Sequence, residues 1–171
     1  MLDKVLGGLV WSGGMDAVEE LRAAGERGDA EAVAGLLADD VVFHSPLTDR
    51  VTFEGRDEVV ALHRDIFAVL EDVRTSAPLE HGDSYAFSFR ARVRGAELEA
   101  MNLVRLDEQG LIAELTVFVR PLPSLATLFA NLPPRVSARR RGPVVGGLVA
   151  CLAVPLAFAF RTADRLAPRF L

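Results

Sequence analysis

The sequence predicts an α+β fold: a curved antiparallel sheet forming a cone around one long helix, with a cavity at the open end. Three observations predict it. Apolar residues recur at helical spacing in residues 16–38 and 56–72. The period then changes to two and holds to Arg120. Two successive hairpins, read independently, place their apolar residues on one common face.

Taken in order, Asp16–Glu26 reads as a first helix, with Val18, Leu21 and Ala24/Gly25 as a narrow apolar stripe and Gly28 ending it. Asp29 is a good N-cap for a second helix, Ala30–Ala38. Asp39-Asp40 then reads as the solvated turn that ends it. Val41–His44 is a strand stopped by Ser45-Pro46, and Thr52-Phe53 adds a short strand that Gly55 breaks. The long helix runs from Arg56 to Asp72, with Val59, Val60, Leu62, Ile66, Phe67, Val69 and Leu70 on its buried side. Arg74–Glu80, Tyr85–Val93, Glu97–Leu106 and Leu111–Arg120 follow as strands, separated by His81-Gly82-Asp83, Gly95-Ala96 and Asp107–Gly110. Helices first and an antiparallel meander afterwards define the class.

The hairpins fix the faces. If Gly95-Ala96 is the loop, Arg94 faces Glu97, Arg92 faces Glu99, Ala91 faces Ala100 and Phe89 faces Asn102. If Asp107–Gly110 is the loop, Leu106 faces Leu111, Asn102 faces Leu115 and Ala100 faces Val117. Both registers select the same inner face: Phe87, Phe89, Val93, Ala100, Asn102, Val104, Leu115, Val117 and Val119. The charged pairs lie outside, where each contributes about 0.2–1 kcal/mol and no chemistry. Met101, Leu103, Ile112 and Phe118 are expected to form an apolar patch on the outer face. A homodimer through that patch is the first expectation, and a C-terminal segment packed over it is the alternative.

Composition bounds the function. The net charge of −5 conceals 12 Lys+Arg against 23 Asp+Glu in residues 1–120 and 7 Arg against Asp164 in residues 121–171. An acidic body of −11 is a poor partner for nucleic acid, whereas the tail at +6 is a different physical object. One cysteine, Cys151, excludes an intramolecular disulfide, and its apolar setting suggests a small buried residue. Residues 1–14 read as an N-terminal extension without a secretory signal; Met15 is a second candidate start, and the alternative packs Leu6, Val10 and Trp11 on the body. The body itself spans residues 15–132.

Residues 133–171 form the tail. Pro121–Leu132 gives a short apolar helix, Pro133-Pro134 a break, and Arg139-Arg140-Arg141 a basic cluster. Gly142–Phe160 is uncharged and, as helix, about 28 Å long, near the thickness of bilayer hydrocarbon. Arg161, Arg165 and Arg169 follow at four-residue intervals, suited to anionic lipid. The expectation is membrane contact through residues 142–171, from a cytoplasmic body at the inner face of the membrane. The alternative is a hydrophobic arm buried on the outer sheet patch or swapped across a dimer.

ADDVVFHSP, then FEGRDEV, then NLVRLDEQGLIAELTVFVRPL resemble, together and in this order, the SnoaL-like branch of the nuclear transport factor 2 superfamily, over about residues 16–130. The ending VRPL is similar to uncharacterised actinobacterial members. The resemblance implies a cystatin-like cone, usually dimeric, that holds small and often hydrophobic ligands. It includes polyketide cyclases, ketosteroid isomerase and non-enzymatic binders, so it implies a pocket without a chemistry. By the same resemblance, Ser45 falls where the isomerase keeps its general-base Asp, Leu21 where it keeps an oxyanion-binding Tyr, and Asn102 at its acidic donor. Ser45 is no base unaided and Leu21 donates nothing, so that isomerase chemistry is not expected.

The expected pocket lining is Leu21, Phe43, Ser45, His63, Phe67, Phe89, Asn102, Leu115, Val117 and Val119. Asn102, the one amide on an apolar face, needs a partner: backbone, a trapped water or a ligand. His63 sits beside the buried stripe of the long helix and reads first as a satisfied core or rim residue; the alternative pairs it with Ser45 as an acid–base group. His44 points away from the cone and His81 lies in a turn, so no metal site and no cofactor are expected. Arg120 either closes the cone or reaches solvent. The sequence thus predicts a binder of a small apolar or carbonyl-bearing molecule without a catalytic dyad. The rival is an enzyme of the cyclase, isomerase or hydratase kind using His63, Ser45 and Asn102.

Overall fold

The computed structural model describes residues 12–169. The packing proposed for Leu6, Val10 and Trp11 lies outside the described residues. The elements run α1 (Ser12–Arg27), α2 (Ala30–Ala34), β1 (Leu37–His44), β2 (Phe53–Glu54), α3 (Arg56–Phe67), β3 (Glu71–Thr75), β4 (Leu79–His81), β5 (Ser84–Val93), β6 (Ala96–Leu106), β7 (Ile112–Arg120), α4 (Leu122–Arg141) and α5 (Pro143–Leu166), with a short 3-10 turn Ala167–Arg169. The strands form one sheet in the order β2-β1-β7-β6-β5-β3, with β4 also on β5. All pairings are antiparallel except β1 with β7. This is the expected α+β curved sheet.

The faces are as expected although both registers are displaced. Phe87 faces Asn102 and Arg92 faces Glu97, so the first hairpin turns at Arg94-Gly95 rather than Gly95-Ala96. Both turn residues have positive φ, 50° and 74°, the geometry of a turn whose twist matches its strands. In the second hairpin Asn102 faces Val117 and Ala100 faces Val119. Each shift moves the partner by two residues, and side chains alternate with a period of two, so no residue changes face. Ile112 is the exception. An irregularity between Arg105 and Leu106 inserts one extra residue on β7, which turns Ile112 into the core, fully buried, rather than onto the outer patch.

Tertiary contacts override local propensity at three helix ends. The second helix stops at Ala34 rather than Ala38, because Leu37 pairs with Ile112 and the Ile112 N–H donates to the Leu36 carbonyl at 2.8 Å. Asp39-Asp40 therefore lies inside β1 as its exposed stretch. The long helix stops at Phe67 rather than Asp72, since Glu71–Thr75 is recruited as β3 against β5. The expected strand Arg74–Glu80 is split into β3 and β4 around Pro78, which has no N–H to give a ladder. Pro133-Pro134 does not break the C-terminal helix: α4 continues through both. Each proline removes a helical hydrogen bond, at about 3 kcal/mol in a free helix. Packing of Leu128, Leu132 and Val136 into the core on both sides of the pair holds the helix together.

One apolar core joins the inner sheet face to the buried sides of α1, α2, α3 and α4. Ser124 at the start of α4 donates its hydroxyl to the Glu97 carbonyl, and Arg139 near its end bonds Asp65 and Glu58 of α3. The C-terminal chain thus covers the concave side of the sheet, not the outer one. Met101, Leu103 and Phe118 remain exposed, at 43%, 43% and 58%. The alternative of an arm packed over that patch does not hold: α5 packs along α4 as a helical hairpin.

Gly146 makes that hairpin close, since an added Cβ there would meet the Ala138 Cβ and the Pro134 carbonyl at 2.7 Å. Only Gly146, Ala153 and Ala157 of α5 are buried, a one-sided stripe at helical spacing. Cys151 lies on the other side and is exposed, against the expectation of a buried residue.

Candidate functional site

A cavity of about 390 Å³ lies between the inner sheet face, α1, α3 and α4. The alternation of β5, β6 and β7 brings Phe87, Phe89, Asn102, Leu115, Val117 and Val119 to its wall. From the helical stripes come Leu21 of α1 and His63 and Phe67 of α3; Phe43 and Ser45 enter at the end of β1. Those eleven include all ten residues expected to line a pocket, and the structure gathers the ten around a single void. Its size is within the range of small-molecule sites.

His63 is the most informative polar group. Its ring is nearly sealed, edge-to-face against Phe43 and Phe67 with ring centres 5.9 and 5.6 Å away. Nδ1 lies 2.8 Å from the Val59 carbonyl, an acceptor, so Nδ1 carries the proton and donates. Burial holds the imidazole below its usual basicity, with the Val59 carbonyl working weakly the other way. The residue is therefore neutral, with a lone pair on Nε2. No buried side-chain nitrogen or oxygen lacks a partner among the described residues, and Nε2 makes no hydrogen bond to them. Nε2 consequently opens on the cavity.

Asn102 is half-buried on the opposite wall, and its amide makes no hydrogen bond within the described residues. Its partner is solvent or ligand, not the backbone. The Ser45 hydroxyl accepts the Leu47 N–H at 3.2 Å, which closes a local turn. It has no contact with His63 that would make it a nucleophile. His44 lies outside, its Nε2 2.9 Å from a Glu114 carboxylate oxygen, and His81 is exposed. Arg120 reaches the outer Glu99 at 3.4 Å and does not close the cone. Among the described residues no three His, Cys, Asp or Glu side chains converge.

Sequence reasoning missed the part of the wall that α4 and α5 supply. Leu128, Leu132, Val136, Arg140, Arg141, Val145 and Val149 all border the cavity. Arg140 lies 4.5 Å over the Phe53 ring and also bonds Glu58. The spacing Leu128–Leu132–Val136 was a usable signal, because it carries a single apolar stripe across Pro133-Pro134. No Asp, Glu, Tyr or Cys is found among the residues of the wall.

A family model described as the SnoaL-like domain matches residues 18–115, more than half of the chain. The chain belongs to the SnoaL-like family. The nuclear transport factor 2 fold of that family serves ketosteroid isomerases and polyketide cyclases among others. No match is found among curated proteins.

Solved structures agree on the fold. A steroid delta-isomerase from Pseudomonas aeruginosa superimposes with a TM-score of 0.70 at 26% identity, over 77% of this chain and 97% of its own. A protein with a cystatin-like fold from Silicibacter pomeroyi DSS-3, conserved in bacteria and uncharacterised, gives 0.71 at 26%, over 80% and 96%. An epoxide hydrolase/cyclase-like enzyme of pyran ring formation in the polyether salinomycin gives 0.53 at 18%, over 65% and 92%, a likeness of fold alone. Thus the SnoaL-like chain shares its scaffold with enzymes.

Proposed function

We propose that this SnoaL-like protein binds a small hydrophobic molecule in its cavity and does not transform it. The observation that carries this reading is the wall itself, predominantly apolar and without a carboxylate among the described residues. Moving a proton between carbons of a substrate takes a base held by a second group and acidic donors for the developing oxyanion. His63 is held by a backbone carbonyl, Ser45 is spent on a turn, and Leu21 is apolar. The Asn102 amide and the His63 Nε2 suffice to orient one polar end, such as a carbonyl or hydroxyl, of an otherwise apolar ligand.

Native mass spectrometry of the purified protein tests this, alongside uptake of an apolar fluorophore. A co-purifying small molecule, or saturable uptake that Val117→Trp abolishes by filling the void, supports the reading. An empty protein that takes up no fluorophore sinks it. The uncharged lone pair of His63 favours one second reading, an enzyme of the cyclase, isomerase or hydratase kind in which His63 accepts a proton beside Asn102 and Ser45. Turnover of a bound carbonyl compound that His63→Gln removes while binding persists would replace the first reading with this one.

Two further parts belong to the proposal. The exposed Met101, Leu103 and Phe118 support a homodimer through the outer sheet face. The stretch Pro143–Arg169, of mean hydropathy 2.2 over its most apolar window, is long and apolar enough to cross a membrane, with 17% of that window buried. It supports attachment of a cytoplasmic body to the inner face of a membrane.

A further inference from the structure

The mode of attachment is decided by how α5 sits, and here the inference rests on the membrane reading just given. We infer that α5 lies flat in the headgroup region of an anionic bilayer, still packed on α4, and does not cross the membrane.

The helix has two unlike sides. Gly146, Ala153 and Ala157 face α4, while Val144, Leu148, Leu152 and Phe158 point outward at 76%, 61%, 80% and 72% exposure. No charged residue occurs from Pro143 to Phe160, so the outward face is an unbroken apolar surface about 27 Å long. Its C-terminal end carries Arg161, Arg165 and Arg169, all exposed and none paired with an acid among the described residues. A greasy face flanked by unpaired arginines fits an interface of apolar chains beneath anionic headgroups.

The hairpin forbids crossing. Any helix packed along α5 would enter the hydrocarbon with it, and α4 is that helix. Arg135, Arg139 and Arg140 of α4 are paired with Asp65 and Glu58 of α3, and Ser124 ties its other end to β6. Crossing would require either drawing this ionic cluster into the bilayer or tearing α5 from α4. Lying flat requires neither. Val145 and Val149, on the flank of α5, border the cavity, so a flat α5 places that wall beside the bilayer, the natural source of an apolar ligand.

The native Cys151, the single cysteine and exposed mid-way along α5, gives the test. The full chain is labelled there with an environment-sensitive fluorophore and mixed with vesicles containing phosphatidylglycerol, or phosphatidylcholine alone. Lipids brominated at defined depths then locate the probe. The expected results are flotation with anionic vesicles, weakened by salt, and strongest quenching by bromines near the headgroups. Leu152→Glu is expected to lower partitioning by about tenfold or more, as for a lost buried leucine. Quenching greatest at the bilayer centre overturns the flat orientation while leaving attachment standing. Absence of flotation with either vesicle overturns attachment itself. Equal binding to neutral vesicles overturns the anionic requirement.

Discussion

His63 offers the sharpest quantitative test of the cavity wall, through the substitution His63→Leu. The buried imidazole binds a proton less readily in the folded chain than in the unfolded one, whose histidine has the ordinary value of 6.5. As pH falls through that value the unfolded chain takes up a proton that the folded chain refuses. Stability is then lost toward acid. Between about pH 7.5 and about pH 5.5 the loss reaches at most about 1.4 kcal/mol, with about 1.4 kcal/mol more for each further unit until His63 itself protonates. Urea unfolding of wild type and variant at a series of pH values reads this directly. His44 and His81 are present in both proteins and cancel in the difference. The expected result is a gap between the two stabilities that changes in favour of the variant as pH falls. A gap constant across the window would refute the placement of a neutral, desolvated imidazole in this wall. Ligand occupying the cavity should extend the wild-type dependence to lower pH, because protonation removes the Nε2 acceptor.

Other outcomes follow from the same structure. Glu58 is held below the usual carboxylate range by hydrogen bonds from Arg139 and Arg140, so its contribution is present above about pH 4.5 and lost as pH falls further; Glu58→Gln should lower stability above that window and flatten the pH dependence of stability within it. Arg139→Met leaves the partly buried Asp65 and Glu58 short of a partner and should cost about 1–3 kcal/mol, read by thermal or urea unfolding. Gly146→Ala drives a methyl group into Pro134 and Ala138 and should destabilise the α4–α5 contact by about 1–3 kcal/mol, visible as faster amide exchange in α5 with β5–β7 unchanged. If the proposed homodimer forms through the outer sheet face, Phe118→Glu should shift the protein to monomer in light scattering and remove the concentration dependence of its unfolding transition.

The inner face was legible because its signal survives error. Both hairpin registers are displaced, yet a two-residue shift returns every side chain to the same side. Asn102, Leu115 and Val117 therefore reach the cavity whichever partner each one has. Ile112 shows the limit of that protection, since one inserted residue on β7 changes its side, and no local pattern announces where a strand will bulge.

Helix ends fared differently. Leu37 and Ala38 continue the stripe of the second helix in sequence, and only the presence of Ile112 beside them makes a strand of that segment. The same holds at Glu71–Thr75, which β5 recruits.

The amino-acid order thus determined an apolar concave wall with one amide and one imidazole, because alternation and helical spacing are local properties of the chain. The tertiary structure alone decided the rest of the site. Arg139 finds Asp65 across 74 positions of sequence, α4 survives two prolines, and Val145 and Val149 join a cavity begun at Leu21. Such contacts depend on which distant surfaces are left uncovered when the sheet curls, and no short stretch of sequence carries that information.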